Sequence, residues 1–174
     1  MADIQVFDNF LPEQEWNDIW GFVTDAEFSW FYNRGVLDDQ LDGAPYQSTH
    51  TLVRAFTGER SWAAPLLEPI LLALNYPSVT RAKLNLGPRD SIQREGGFHT
   101  DMPDHTTGIF YLNTTNGYTK FADGTVVEGI RNRFVEFDSN LEHTGVSHTD
   151  EQVRVVLNLN YRTGVPVNSS TATV

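Results

Sequence analysis

Two good metal ligands stand two residues apart in Gly96-Gly97-Phe98-His99-Thr100-Asp101. In an extended backbone that spacing puts the His99 imidazole and the Asp101 carboxylate on the same face of a strand or strand end. A third ligand, His143, follows the strand signal Phe134-Val135-Glu136-Phe137. Two histidines and one carboxylate make a facial triad, an arrangement that suits non-haem Fe(II) and leaves positions open for a co-substrate and oxygen. Further on, Arg154 lies within Val153-Arg154-Val155-Val156-Leu157-Asn158-Leu159-Asn160-Tyr161, the strongest strand signal in the chain. Such a run is usually buried, and a buried guanidinium needs an anion. Its planar fork grips a carboxylate through two parallel hydrogen bonds, so an external dicarboxylate is one partner, while Glu95, Glu136 and Glu142 are internal alternatives.

The chain has five histidines, and the choice among them decides the site. His105 competes for the place of third ligand, but Pro103 and the polar residues around it make that segment a turn. His143 offers a grip from a second strand. Together with Arg154 it is expected to flank the turn Ser147-His148-Thr149-Asp150 on neighbouring antiparallel strands, which would set a cation just behind a metal. His50 and His148 read as exposed turn residues.

The elements that must position these groups divide into helices first and strands afterwards. Alternation over Asp3–Asn9 suggests a short strand. Pro12 then opens a helix to Val23 whose apolar positions Trp16, Ile19, Trp20 and Val23 recur at threes and fours, with Glu13 and Glu15 in the first turn. Phe28–Tyr32 is a candidate strand. The polar, aperiodic stretch Leu37–Ser48 is a candidate substrate lid. Ser61–Asn75 predicts a second helix with Trp62, Leu66, Ile70 and Leu74 inward, kinked or interrupted at Pro69. After Pro77 come short strand signals at Arg81–Gly87, Gly97–Asp101, Thr107–Asn113, Tyr118–Ala122, Thr125–Glu128, Asn132–Asp138 and Gln152–Tyr161. The pattern predicts a mainly β sandwich or barrel of jelly-roll type, with the N-terminal helices bracing one face. The tail 164–174 is aperiodic and expected to be flexible.

At 174 residues the chain reads as one domain, 1–174, able to bury roughly two-thirds of its unfolded surface without staples. A metal would then serve function rather than folding. The net charge of −11 and a pI near 4.7 disfavour a nucleic-acid binder, which must neutralise phosphates with Lys and Arg. Peptides, basic proteins and small molecules are better partners. With no cysteine in the chain, thiolate nucleophiles, disulfides and Cys-based clusters are excluded. There is no signal-like N-terminus and no apolar run of spanning length, so a soluble, cytoplasmic protein with no membrane partner is expected. The sequence sets no oligomeric state.

The order His99-Thr100-Asp101, His143, then Arg154 before a Val/Leu strand resembles the His-x-Asp…His…Arg pattern of the 2-oxoglutarate- and Fe(II)-dependent oxygenases. Gly108-Ile109-Phe110-Tyr111-Leu112-Asn113 further resembles the prolyl hydroxylase branch, whose Tyr at this strand hydrogen-bonds the co-substrate. Within that branch, Asn113–Phe121 and Phe137-Asp138-Ser139 are similar to small stand-alone enzymes of tailed bacteriophages, especially those infecting marine cyanobacteria. The match covers about 81–162. The resemblance implies a double-stranded β-helix (jelly-roll, cupin-like) core, with Fe(II) on His99, Asp101 and His143 and with Arg154 and Tyr111 on the distal carboxylate of 2-oxoglutarate. The implied reaction consumes O2, releases succinate and CO2 and hydroxylates a C–H bond, with ascorbate as a candidate accessory. The implied substrate is a proline-containing peptide or protein hydroxylated at C4, and the acidity of the chain adds basic proteins as candidates. One departure concerns the substrate: Gly87 stands near where prolyl hydroxylases often have a Tyr.

Two other classes use the same features differently. A mononuclear zinc hydrolase could take the same ligands but has no need of Arg154. A non-catalytic jelly-roll binding module would need no metal.

Overall fold

The computed structural model describes residues 4–33 and 46–163. In chain order these form β1 (Gln5–Phe7), α1 (Glu13–Val23), β2 (Phe31–Asn33), β3 (Gln47–Val53), a 3-10 turn (Ala64–Leu67), α2 (Glu68–Ala73), β4 (Ser78–Pro88), β5 (Thr106–Tyr111), β6 (Tyr118–Phe121), β7 (Val126–Glu128), β8 (Arg133–Asp138), β9 (His143–Val146) and β10 (Val153–Arg162). The strands make two antiparallel sheets, a large one in the order β1-β8-β5-β10-β4-β3-β2 and a small one in the order β7-β6-β9. This is a mainly β, jelly-roll core braced by helices on one face. None of the described helices is long and apolar enough to cross a membrane.

Alternation along β10 explains the layering. Val155, Leu157, Leu159 and Tyr161 point into one core, shared with Trp16, Ile19 and Val23 of α1 and with Leu67, Ile70 and Leu71 near α2. The intervening Arg154, Val156, Asn158 and Asn160 therefore face the other way, into the space between the sheets. There Ile109, Tyr111, Phe121, Val127, Val135, Phe137 and Val156 form a second apolar cluster. Trp16 is a core residue whose indole N–H donates to the Leu112 carbonyl at 3.0 Å, tying α1 to the end of β5.

Three expectations change. The segment Ser61–Asn75 is not one helix: a 3-10 turn and the six-residue α2 succeed one another, each with a proline in its opening turn. Pro65 and Pro69 lack the N–H that a continuous helix would need, yet each suits a first turn, so the helix restarts instead of kinking. The inward line shifts to Ala63, Leu67, Ile70 and Leu71, and Trp62 is 59% exposed. Second, Gln47 and Ser48 open strand β3. That strand carries polar residues on its inner face, which hid it as sequence, and the rest of the candidate lid, 37–45, lies outside the described residues, as does 164–174. Third, Gly97–Asp101 is not a regular strand; only His99 forms a bridge, to His143.

Candidate metal centre

Residues 89–101 run as a strap along the edge of β9. Ser147 N donates to the Arg94 carbonyl at 2.9 Å, and Gly96 N to the Gly145 carbonyl at 3.1 Å. A Cβ at Gly96 would lie 2.9 Å from Thr144 Oγ1, so the approach is one that glycine permits. His99 and His143 then exchange both backbone hydrogen bonds, each at 3.0 Å. Directly opposed residues project to the same side, and the two rings stand 4.6 Å apart between centroids. Asp101 N donates to the Ser139 carbonyl at 2.9 Å, which turns the carboxylate toward the large sheet. One donor atom from each of His99, Asp101 and His143 lies within 4.8 Å of the others.

Hydrogen bonds aim each of these side chains. The Nδ1 of His99 sits 3.2 Å from the Gly97 carbonyl and that of His143 2.9 Å from the Leu141 carbonyl. A carbonyl only accepts, so Nδ1 carries the proton and the Nε2 lone pair is left for a ligand role. Asp101 Oδ2 accepts from Thr107 Oγ1 at 2.8 Å and from Asn160 Nδ2 at 3.2 Å. Its Oδ1 lies 3.7 Å from an Arg81 guanidinium nitrogen. Thr107 also bonds Ser139 Oγ at 2.8 Å. Phe137 meets the His143 ring edge-on at 4.7 Å. Burial holds His143 below the ordinary imidazole range, favouring the neutral form that metals need. Two imidazoles with Nε2 left for a ligand role and one oriented carboxylate fit a divalent transition metal.

Arg154 is not on a strand neighbouring His143: β9 belongs to the small sheet and β10 to the large one, where Arg154 lies on the inner face. Arg154 Nε is buried without a hydrogen-bond partner. Of its three candidate carboxylates, Glu95 is bound by Lys120 at 2.6 Å and Glu136 accepts from the Tyr161 hydroxyl at 2.6 Å. Glu142 forms no ion pair with Arg154 among the described residues. The guanidinium instead lies over Tyr111, whose hydroxyl donates to Thr119 Oγ1 at 2.7 Å. Gly117 makes room: a Cβ there would sit 3.0 Å from Arg154 Cδ. A half-buried guanidinium whose Nε is shut off from water, with no carboxylate partner among the described residues, fits a ligand that brings one.

His148 is buried, not an exposed turn residue. It stands beside Arg154, and its Nε2 has no partner. Burial and then the Arg154 charge lower its pKa, keeping it neutral. Asn116 accepts from Thr149 N and donates to Thr149 Oγ1, holding the turn in. His50 is buried too, within β3. Its ring bonds the Ser29 carbonyl and Ser61 Oγ on the helical side and packs against Phe28 and Trp62, a structural role. His105 stays outside the cluster, bonded to Thr80 Oγ1 and the Pro103 carbonyl. Sequence reading missed Thr107, Asn160, Arg81, Thr119 and His148; strand alternation marks the first three as inward-facing once the register is known. A separate apolar groove of about 330 Å³, lined by Ile19, Phe22, Trp62 and Leu66 among others, lies in the helical layer and not between the sheets.

No family model matches the chain, and no curated protein matches it either. Solved structures do. A 2OG-Fe(II) oxygenase family oxidoreductase from Burkholderia pseudomallei aligns with a TM-score of 0.69 at 11% identity, covering 93% of this chain and 87% of that one. A prolyl hydroxylase from Trichoplax adhaerens, solved with a hypoxia inducible factor peptide fragment, aligns at 0.61 and 13%, covering 94% and 84%. The epimerase SnoN, solved with Fe3+, alpha ketoglutarate and nogalamycin RO, aligns at 0.66 and 12%, covering 93% and 79%. At such identities the likeness is one of architecture: the chain has the jelly-roll fold in which these enzymes are built.

Proposed function

We propose that this protein is an Fe(II)- and 2-oxoglutarate-dependent oxygenase. His99, Asp101 and His143 would hold the iron, and Arg154, lying on Tyr111, would take the distal carboxylate of 2-oxoglutarate. Iron and 2-oxoglutarate together supply oxidative decarboxylation to succinate and CO2 coupled to hydroxylation of a substrate C–H bond. The chain's own residues set the conditions for it. Backbone carbonyls fix the imidazole tautomers, Thr107 and Asn160 fix the carboxylate, and Ile109, Phe121 and Val156 exclude water from the inter-sheet space. Phe110, between Ile109 and Tyr111 on β5, faces the helical core.

The observation that carries the reading is Arg154, half-buried on the inner face of β10 and without a carboxylate partner among the described residues, in the same β core as a convergent His-Asp-His cluster. A zinc hydrolase would leave that cation without a purpose. Prolyl 4-hydroxylation of a peptide is the finer proposal. It is supported by the Gly108–Asn113 motif and by likeness to a hydroxylase solved with a peptide, whereas kinship with phage enzymes rests on sequence motifs alone. Anaerobic titration with Fe(II) and 2-oxoglutarate tests the class. The expected result is the visible charge-transfer band of the chelated complex, with Arg154→Ala requiring far more 2-oxoglutarate. Absence of the band with the wild-type protein would overturn it.

A further inference from the structure

The inner face of the large sheet changes character across its width. Under the small sheet it is apolar, with Ile109, Tyr111, Val135 and Val156. On β4 the residues turned the same way are Arg81, Lys83 and Asn85. Their β10 partners in register are Asn160, Asn158 and Val156. On β3, Thr51 pairs with Lys83 and Thr49 with Asn85. This half of the face is polar, half-buried and begins at the metal centre, where Arg81 reaches Asp101.

Several of these groups lack partners. Lys83 forms no ion pair among the described residues, although its ammonium feels the charges of both Arg81 and Asp101. Burial, then Arg81, lowers its pKa to about 8, so it remains mostly cationic at neutral pH. Asn85 Oδ1 and Asn158 Oδ1 are buried with no hydrogen-bond partner. An anion bound here would be held by the donors, the Lys83 ammonium and Arg81, while the two amide oxygens only accept and suit an N–H or O–H beside that anion. That anion is not the one assigned to Arg154. Gly87, opposite Arg154, is four residues along β4 from Lys83, roughly 13 Å at about 3.3 Å per residue.

Building on the oxygenase reading, we propose that Lys83, with Arg81, is the subsite for a carboxylate carried by the substrate that is oxidised, with the amide oxygens of Asn85 and Asn158 beside it to accept from the substrate's own N–H groups. The substrate is then an acid: a free amino acid or similar carboxylic acid, or a peptide with Asp or Glu beside the target residue. Basic flanking residues would set like charges against Lys83 and Arg81, which reverses the preference that overall acidity suggests.

The test compares acid and amide partners by calorimetry at pH 7, on protein with and without Fe(II) and 2-oxoglutarate. One pair is L-proline and L-prolinamide; the other is acetyl-Ala-Pro-Asp-Ala-amide and its Asn counterpart. The proposal expects the acid of at least one pair to bind about tenfold tighter, a difference of about 1.4 kcal/mol. The preference should disappear in both Lys83→Gln and Lys83→Met. The pair that shows it tells a free acid from an acidic side chain. Equal binding within both pairs, no binding of any acid, or a preference that survives both substitutions overturns the proposal. So does a rise in the 2-oxoglutarate needed for the charge-transfer band in Lys83→Gln, because it would give Lys83 to the co-substrate. A wild-type protein that shows no band overturns the oxygenase reading, while the acid-to-amide ratio still decides the subsite.

Discussion

The guanidinium of Arg154 lies 5.6 Å from the centroid of the Tyr111 ring, and no carboxylate among the described residues pairs with it. A cation over an aromatic face gains on the order of 0.5–2 kcal/mol, which only partly offsets the desolvation of a half-buried guanidinium whose Nε has no partner. The ligand-free protein therefore holds Arg154 at the expense of stability.

Arg154→Met should follow from that imbalance in two ways. Without 2-oxoglutarate the variant should be more stable than the wild type by about 1 kcal/mol, because an apolar side chain replaces an uncompensated charge. Saturating 2-oxoglutarate with a divalent metal should raise the wild-type melting temperature by mass action and leave the variant nearly unmoved. Thermal melts with and without the ligand check both; a variant less stable than wild type would mean that Arg154 has a partner in the fold.

Thr107→Val keeps the side-chain shape but removes the hydroxyl that donates to Asp101, bonds Ser139 Oγ and accepts from Asn160 Nδ2. Metal affinity should fall by about 10–100-fold, the usual consequence of losing a group that orients a ligand, with stability lowered by about 1 kcal/mol. Competition against a chelator reads the first and chemical denaturation the second.

Gly108 is fixed by its neighbours and not by its torsions. A Cβ there would meet Phe134 Cζ at 2.4 Å and Tyr161 Cε1 at 3.1 Å, both within the close-packed centre of the large sheet. Gly108→Ala should cost about 1–3 kcal/mol, seen as a lower denaturation midpoint at unchanged slope.

Asp8 and Arg133 pair through two contacts, at 2.6 and 3.1 Å, holding the end of β1 to β8. The hydrogen bond from Arg133 lowers the Asp8 pKa below its ordinary 3.8. A carboxylate with a depressed folded pKa stabilises fully above its unfolded value and loses that contribution as pH falls through the folded one. Asp8 is half exposed, so water screens the pair and Asp8→Asn should cost no more than about 1 kcal/mol at pH 7. The difference between wild type and variant should shrink below pH 4 and show no change between pH 5 and 8, as denaturation across pH would reveal.

What could be read from the sequence was what neighbours in the chain decide. His99 and Asp101 sit in one tripeptide, and Arg154 sits in a run whose alternation announces a buried strand, so these residues stood out without a fold. The orienting groups did not. Thr107, Asn160 and Arg81 meet only because β10 pairs with both β5 and β4 in a particular register, and register is a tertiary fact. The same holds for the separation of His143 and Arg154 onto different sheets. His50 and His148 read as surface residues in sequence because polar neighbours surround them; one lies in a strand whose inner face is polar, the other in a turn that Asn116 holds in.

The cluster also joins three parts of the molecule to one another. His99 belongs to the strap, His143 to the small sheet, and Asp101 is tethered through Thr107 and Asn160 to the large one. An ion held by all three would act as a rivet through three layers. Its removal by a chelator would free the strap to peel from the β9 edge, making 89–98 the first stretch a protease cuts and its amides the first to exchange with solvent.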